Sequence, residues 1–254
     1  VYYTNLLLGG IDFAILEDRK FKTGPKGRHP MKGPRPDHIR DPNYDPRVID
    51  VPGLKLLGDR QLKFLENWAD NQDGVAMKAV LSQTGFCGGA HIHGSIKNRL
   101  HADLDSNGWP QTGRNKALTL IKKANAVHIG GDQHVSTLIQ HGITEYRDGP
   151  WAFIVPAIVN DYYSRWWWPE DEKAGGDPDP GNPLSWNGDY LDGFGNKITM
   201  HAYANPENAS HGSGYGLIRF KKDTKRVTFE CWPRDADVTK PGAEQFPGWP
   251  RTVK

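Results

Sequence analysis

Two patterns of apolar residues predict the first elements of the chain. Residues 11–17 form a short apolar run that ends at a charged cluster, which is typical of a buried strand. In residues 59–70 the apolar positions recur every three or four residues, and Asp59 is placed to act as an N-cap, which predicts an amphipathic helix. The apolar side of that helix is formed by Leu62, Leu65, Trp68 and Ala69.

The middle of the chain repeats this order of strand and helix. Residues 76–83 favour a second strand, Pro110 opens a second helix, and residues 126–131 favour a third, buried strand. The inward face predicted for the second helix consists of Ala117, Leu118, Ile121 and Asn125. Strand, helix and strand in this order require a right-handed crossover between parallel strands, so the sequence predicts an α/β fold.

Proline and glycine mark the irregular parts of the chain. Residues 19–52 contain seven prolines and predict a long loop, because proline interrupts both helices and central strands. Residues 151–159 favour a strand, residues 160–197 predict a long ordered loop, and residues 214–220 with 226–232 predict a β-hairpin. The sequence shows no clean linker, so we predict a single domain that spans residues 1–254.

The composition is that of a folded globular chain. Hydrophobic residues make up 37% of the 254 residues, and no apolar run approaches the roughly 18 residues of a membrane-spanning helix. A formal net charge of +2 does not indicate nucleic acid as a partner. Cys87 and Cys231 are compatible with a disulfide, with two buried thiols or with one metal-binding thiolate, and buried thiols are the simplest of these interpretations.

A polar motif, GGDQH at residues 130–134, follows the third predicted strand. Ligands of open α/β sheets bind beyond the carboxyl ends of the strands, where the Asp132 carboxylate and the His134 imidazole can face one metal ion. The structural alternative is that Asp132 caps a turn or helix that begins at Val135, and that His134 is a polar loop residue.

Arg19 ends the first predicted strand and opens a basic segment. Its guanidinium can bind two phosphate oxygens, or it can form an ion pair with Glu17 or Asp18. Residues 19–40 contain eight lysines and arginines and a single acid, Asp37. Such a run can steer a phosphate-bearing substrate or bind nucleic acid, but a solvated loop is the simpler interpretation.

Four histidines are further candidates for metal binding. His91 and His93 have the spacing of metal ligands, but they lie among glycines in a predicted loop. His201 and His211 flank a glycine- and asparagine-rich stretch and could reach the same site. For all four residues, a loop position is the simpler interpretation.

Three consecutive tryptophans, Trp166, Trp167 and Trp168, are unusual because neighbouring side chains cannot all enter one core. Their aromatic neighbours along the chain are Tyr162, Tyr163 and Trp186. The tryptophans either line a substrate pocket or pack against a segment that this chain lacks. A carbohydrate-binding platform is the alternative from another functional class.

Six short motifs occur in a fixed order along the chain. They are Leu16-Glu17-Asp18-Arg19, Leu57-Gly58-Asp59-Arg60-Gln61, Leu81-Ser82-Gln83, the segment from Asp105 to Pro110 with Arg114, Gly131-Asp132 with His134 and Ser136, and Gly214-Tyr215. Together, their order and spacing resemble those of the alkaline phosphatase D (PhoD-like) family of metallophosphoesterases, and the resemblance extends over most of the chain.

The chain departs from the family pattern at several positions. Glu17 replaces the usual Asp of the first motif, and Trp109 replaces the Tyr that precedes a proline. The spacing near Trp109 is shorter, so Asp103 and Asp105 compete for one aligned role. The amino-terminal half of the family's domain, which supplies much of the metal site, has no counterpart before Val1. We therefore expect an amino-terminal segment of the same protein to be missing.

The resemblance implies a metallophosphoesterase-like layered β-sandwich flanked by helices, with metal-dependent hydrolysis of phosphate monoesters or diesters. It implies calcium or iron ions held by Asp132, His134 and either Asp103 or Asp105, with Arg19 and His134 as catalytic residues. Carboxylate oxygens together with an imidazole would also suit manganese. The residues expected to line the substrate pocket are Trp109, Trp166, Trp167 and Trp168.

The expected partner is a small phosphate ester rather than nucleic acid. We expect no membrane-spanning segment in the chain. The resemblance also implies a periplasmic or secreted protein. Because part of the metal site is expected outside this chain, we expect the chain alone to hydrolyse an aryl phosphate no faster than its His134→Ala variant. The competing hypothesis is a non-catalytic module that binds carbohydrate or a protein partner.

Overall fold

Four neighbouring parallel strands lie at the centre of the computed structural model, which describes residues 2–29, 32–95, 97–158, 164–169, 175–206 and 212–254. The helices are α1 (Asp59–Asp70) and α2 (Gln111–Lys123). The strands are β1 (Thr4–Leu8), β2 (Ile11–Ile15), β3 (His38–Ile39), β4 (Met77–Thr84), β5 (Ile92–His93), β6 (Ala102–Asp103), β7 (Val127–Gly131), β8 (Ser136–His141), β9 (Trp151–Ile154), β10 (Arg165–Trp166), β11 (Gly188–Leu191), β12 (Lys197–Ala204), β13 (Gly214–Lys221), β14 (Arg226–Pro233) and β15 (Arg251–Val253).

The main sheet has eight strands in the order β1-β2-β4-β7-β9-β8-β12-β11. Strands β2, β4, β7 and β9 are parallel to one another, with Ile11 opposite Met77 and Ile129 opposite Phe153. The other pairs in the sheet are antiparallel. The predicted parallel strands and the α/β class are therefore confirmed.

Both helices pack on one face of the main sheet. Their apolar side chains form a cluster with Ala14 of β2 and Val80 of β4. Helix α1 has the predicted bounds, but its N-cap is Gly58, which has a φ of 76°. The prediction that Asp59 is the N-cap is therefore wrong, and Asp59 instead pairs with Lys55 at 2.9 Å.

Most residues of the face predicted for the second helix are buried in the structure. Ala117, Leu118 and Ile121 are fully buried in the same cluster as α1. Asn125 lies two residues beyond the end of α2, in a left-handed conformation with a φ of 49°. It therefore belongs to the turn that leads into β7 rather than to the helix face.

A smaller sheet, β13-β14-β15, covers the opposite face of the main sheet and contains the predicted hairpin. Phe13 and Ala79 alternate along their strands with the residues that meet the helices, so they point to this second face. There the Phe153 ring lies 5.3 Å from the rings of both Phe229 and Trp249. The described residues thus form three layers: helices, a large sheet and a small sheet.

Several elements lie where the sequence predicted loop or helix. Strands β10 and β11 fall within residues 160–197, and β3 falls within residues 19–52. Strand β8 begins two residues after His134, so the helix considered to begin at Val135 is not formed. Residues 159–163, which include the end of one predicted strand, lie outside the described residues.

Cys87 and Cys231 are both buried and unbonded, which confirms the prediction of buried thiols. Burial raises the pKa of each thiol to about 12, so neither is a reactive thiolate. None of the helices among the described residues is long and apolar enough to cross a membrane.

Candidate active site at the carboxyl ends of the parallel strands

Three of the predicted site residues meet at one edge of the main sheet. Arg19 lies in the turn after β2, and Asp132 directly follows β7; the carboxyl ends of these parallel strands share an edge. Arg19 Nη2 lies 2.8 Å from Asp105 Oδ2, and Arg19 Nη1 lies 3.4 Å from Asp132 Oδ2. We call these three residues the strand-end cluster.

The strand-end cluster is open to solvent. The exposed fractions of its side chains are 37% for Arg19, 50% for Asp105 and 48% for Asp132. Partial burial works to lower the pKa of Arg19, but the carboxylates of Asp105 and Asp132 outweigh it and raise that pKa. Ion pairs this exposed contribute at most about 1 kcal/mol, so a ligand can replace them at little cost.

The turn that carries Arg19 is fixed by Glu17. Glu17 Oε1 accepts hydrogen bonds of 3.0 Å from the backbone N–H groups of Arg19 and Lys20. Gln61 on α1 donates from Nε2 to the Glu17 carbonyl at 2.8 Å and accepts from the Glu17 N–H at 2.7 Å. The glutamate that departs from the family pattern thus caps the turn in this chain.

A buried carboxylate joins the three segments under the strand-end cluster. Asp18 accepts hydrogen bonds from the N–H groups of Gln83 and Thr84, at 3.2 and 3.3 Å, and from the side-chain amide of Asn107. Burial raises the pKa of Asp18, although these hydrogen bonds oppose the rise. Asp18 therefore holds the end of β4 and the Asp105 loop against the Arg19 turn.

Lys22 holds the Asp105 loop from the other side. Its ammonium donates to the carbonyl oxygens of Leu104, Asp105 and Ser106 at 2.8, 2.9 and 2.6 Å. Burial lowers the pKa of Lys22 to about 8. Three hydrogen bonds from one buried amine fix the backbone that presents the Asp105 carboxylate to Arg19.

The turn after β7 is strained at two residues. Asp132 and His134 have φ angles of 68° and 54°, in the left-handed region that side chains other than glycine rarely adopt. Gln133 between them points inward and donates from Nε2 to Thr84 Oγ1 at 3.3 Å. The strained turn therefore exposes Asp132 while it buries the neighbouring glutamine. Such strain is concentrated at functional sites.

The predicted metal ligands do not form one group. Asp105 and Asp132 belong to the strand-end cluster, whereas half-buried His134 lies beside Arg165, whose N–H donates to the His134 carbonyl at 3.3 Å. Asp103 lies in a different group. Among the described residues, the group of three His, Cys, Asp or Glu side chains close enough to hold an ion is His38, His93 and Asp103, which we call the buried triad.

The buried triad is assembled by two short antiparallel pairs. His38 on β3 is directly opposite Asp103 on β6, and His93 on β5 is directly opposite Arg165 on β10. The rings of His38 and His93 lie 5.6 Å apart at an angle of 73°. Burial lowers the pKa of His38, and it lowers the pKa of His93 to about 2, so both imidazoles are neutral.

The tryptophans predicted to line a pocket are mostly part of the core. Trp109 and Trp167 have no exposed surface, and Trp166 is buried with its indole N–H donating to the Pro206 carbonyl at 2.9 Å. Trp168 is 39% exposed and stacks on Trp186 at 5.3 Å. A pocket wall made of all four residues is therefore wrong for this structure, because three of them are buried.

The same burial argues against a carbohydrate platform made of three exposed coplanar rings. Trp168 is the member of the consecutive set whose ring reaches solvent. The three consecutive tryptophans do begin beside the candidate site. Arg165, which precedes Trp166, donates a hydrogen bond from its backbone N–H to the His134 carbonyl. Tyr162 and Tyr163 lie outside the described residues.

The four further histidines that the sequence offered as metal ligands do not lie in one place. His91 packs on Trp167 with the ring centroids 4.6 Å apart, and its Nδ1 accepts a hydrogen bond from the Trp168 N–H at 3.2 Å. His201 packs on Trp151 at 4.4 Å, under the small sheet. Of His91 and His93, it is therefore His93 that belongs to the buried triad. His211 lies outside the described residues.

The comparisons with known proteins show the fold. No protein-family model and no curated protein matches the sequence. A solved structure described as the structure of PhoD matches 96% of this chain with a TM-score of 0.53 and 16% sequence identity. The match covers 40% of the PhoD chain, so this chain spans about two fifths of that protein's length. The chain is therefore similar in fold to PhoD.

Proposed function

We propose that this protein hydrolyses phosphate esters at the strand-end cluster. The observation that carries the proposal is the position of Arg19, whose guanidinium is held between two half-exposed carboxylates at the edge of the sheet. In open α/β sheets this edge is where ligands bind. The similarity in fold to PhoD and the order of the sequence motifs support the same class of reaction.

Arg19 is the proposed phosphate-binding residue. A guanidinium presents two parallel N–H groups that match two oxygens of one phosphate, whereas Arg19 now contacts one oxygen of each of two carboxylates. Its present partners are exposed, so phosphate can replace Asp105 and Asp132 without leaving a buried charge unpaired. The carboxylates released in this exchange become available to a cation.

The donor set at the cluster fits a hard divalent cation. Asp105 and Asp132 supply carboxylate oxygens, and ions such as Mg²⁺ or Mn²⁺ are commonly held by one or two carboxylates together with substrate phosphate and water. When bound, such an ion supplies an activated water and neutralises charge on the phosphate. His134, two residues from Asp132, is proposed as an imidazole ligand or proton donor in the same site.

The proposed substrate is a small phosphate ester, either a monoester or a diester. The likeness of the sequence motifs to the PhoD-like family, many of whose members act outside the cytoplasm, supports a periplasmic or secreted location. The alternative of a carbohydrate-binding module lacks support in the described residues, since its proposed aromatic platform is largely buried.

The test is the release of nitrophenolate from p-nitrophenyl phosphate and from its diester analogue by the complete protein. We expect hydrolysis with Mg²⁺ or Mn²⁺ and its loss after chelation, because the activated water is supplied by the ion. The diester and the monoester distinguish the two substrate classes. Absence of metal-dependent hydrolysis of both esters would contradict the proposal.

A further inference from the structure

The buried triad has no role in the proposed function, although it adjoins the strand-end cluster. The Asp105 N–H donates to Asp103 Oδ1 at 3.1 Å, so the two groups share one short loop. The donor atoms of His38, His93 and Asp103 all lie within 4.8 Å of one another. His38 lies 55 residues before His93 and 65 before Asp103, and the fold brings their donor atoms together in the interior.

Contacts within the protein leave part of the triad weakly satisfied. His38 Nε2 makes no hydrogen bond among the described residues. The carboxylate oxygens of Asp37 and Asp103 lie 3.6 and 3.9 Å from it, and Arg165 Nη1 lies 3.5 Å from Asp103 Oδ2. These separations exceed those of good hydrogen bonds. Because buried polar atoms normally have close partners, His38 Nε2 is an atom from which a further ligand could be bound.

The charges around the triad allow a cation. Asp37 is bonded to Arg35 at 2.7 Å, so its charge is largely compensated. The charge of Asp103 faces Arg165 and the two neutral imidazoles. A cation at the triad would gain the Asp103 carboxylate and two nitrogen lone pairs, and Asp103 Oδ2 would turn from Arg165 toward the imidazoles.

We infer that His38, His93 and Asp103 bind one divalent first-row transition metal ion, such as Zn²⁺ or Fe²⁺. Two imidazoles and one carboxylate are a common ligand set for these ions, and they leave a coordination position open to water or substrate. Calcium is disfavoured, because it takes six to eight oxygen ligands. Donor atoms around a tetrahedral Zn²⁺ ion stand about 3.3 Å apart, so the triad must contract by up to about 1.5 Å along its longest edge.

Cobalt provides the direct test, because bound Co²⁺ absorbs visible light according to its ligands. Titration of the purified chain with Co²⁺ is expected to fill one tight site, the buried triad, before any weaker binding at the exposed strand-end carboxylates. His38→Ala and Asp103→Asn are each expected to weaken Co²⁺ binding at least about a hundredfold, since losing even an outer partner of a ligand costs tenfold to a hundredfold. His101→Ala, in the same loop but outside the triad, is the matched control and should bind like the wild type.

A variant that fails to fold is detected by circular dichroism. In that case two measurements on the wild-type protein test the inference. In nitrogen-resolved NMR spectra, Co²⁺ should shift the imidazole signals of His38 and His93 before those of other histidines, and Zn²⁺ should raise the wild-type Tm. Lack of stoichiometric Co²⁺ binding, or folded triad variants that bind Co²⁺ normally, would overturn the inference. Asp132→Asn should retain Co²⁺ binding at the triad, so this inference and the proposed function can fail separately.

Discussion

Replacing Asp132 with Asn in the complete protein is expected to lower the turnover of an aryl phosphate at least about a hundredfold while the fold stays intact. Asp132 follows a central parallel strand in a left-handed conformation, and its carboxylate is half exposed beside Arg19. Asn has nearly the same shape and tolerates the same backbone angles, so the strained turn should survive. What is lost is the negative charge that the proposed cation requires.

The measurement is the ratio of kcat/KM values for wild type and variant, with circular dichroism to confirm folding. Asp223→Asn is the matched control, because Asp223 is an exposed aspartate in the tight turn between β13 and β14. It should keep full activity. Unchanged turnover in Asp132→Asn would remove this carboxylate from the reaction.

Replacing Arg114 with Leu is expected to lower the free energy of unfolding by about 3–5 kcal/mol. Arg114 on α2 is fully buried and donates to the carbonyl oxygens of Phe86 and Gly142 at 2.7 and 2.9 Å and to Asn115 Oδ1 at 2.7 Å. Burial lowers its pKa. Leu would fill part of the space but leave buried acceptors without a donor.

Urea unfolding at neutral pH measures this change. Arg60→Leu is the control, because Arg60 is exposed on α1 and its loss should alter stability by less than about 0.5 kcal/mol. If Arg114→Leu costs no more than the control, the hydrogen bonds from α2 to the β4 and β8 ends do not anchor the helix. The result would also reopen a ligand-binding role for Arg114, which the family resemblance had left undefined.

The fold was predictable where the spacing of apolar residues along a segment matches a single type of secondary structure. Helix α1 has apolar residues at helical spacing, and β2, β4 and β7 are short apolar runs because parallel strands are buried on both faces. Strand β8 was missed because it follows the polar motif at residues 130–134, where a capped helix was equally compatible with the sequence. The two-residue strands β3, β5, β6 and β10 exist only through their long-range partners, so local sequence cannot specify them.

The candidate site was predictable to the same extent. Arg19, Asp105 and Asp132 follow strands or lie in motifs, and the structure brings them together. His38 was missed because it lies in a proline-rich loop, and its approach to Asp103 depends on a strand pair between segments 65 residues apart. His93 carried a signal in its spacing from His91, but the sequence offered no third ligand.

The tryptophans were misjudged for a related reason. Consecutive bulky residues do point in different directions, as expected, but Trp166 and Trp167 are both buried and the Trp168 ring alone of the three reaches solvent. Trp167 packs with Tyr190 at 5.2 Å, whereas Trp166 bonds to the Pro206 carbonyl and Trp168 stacks on Trp186. The sequence alone cannot show which of three neighbouring rings is buried, so it is equally compatible with an exposed wall.

Phosphate binding at Arg19 tests the central claim most directly, since it needs no turnover. Calorimetric titration of the 254-residue chain with inorganic phosphate in the presence of Mn²⁺ compares wild type with Arg19→Met, and Arg60→Met serves as the exposed-arginine control. Loss of a charge-assisted, two-point contact should weaken phosphate binding about tenfold to a hundredfold in Arg19→Met, while the control matches wild type. Equal phosphate affinity in Arg19→Met and wild type would contradict a phosphate-ester site at the strand-end cluster.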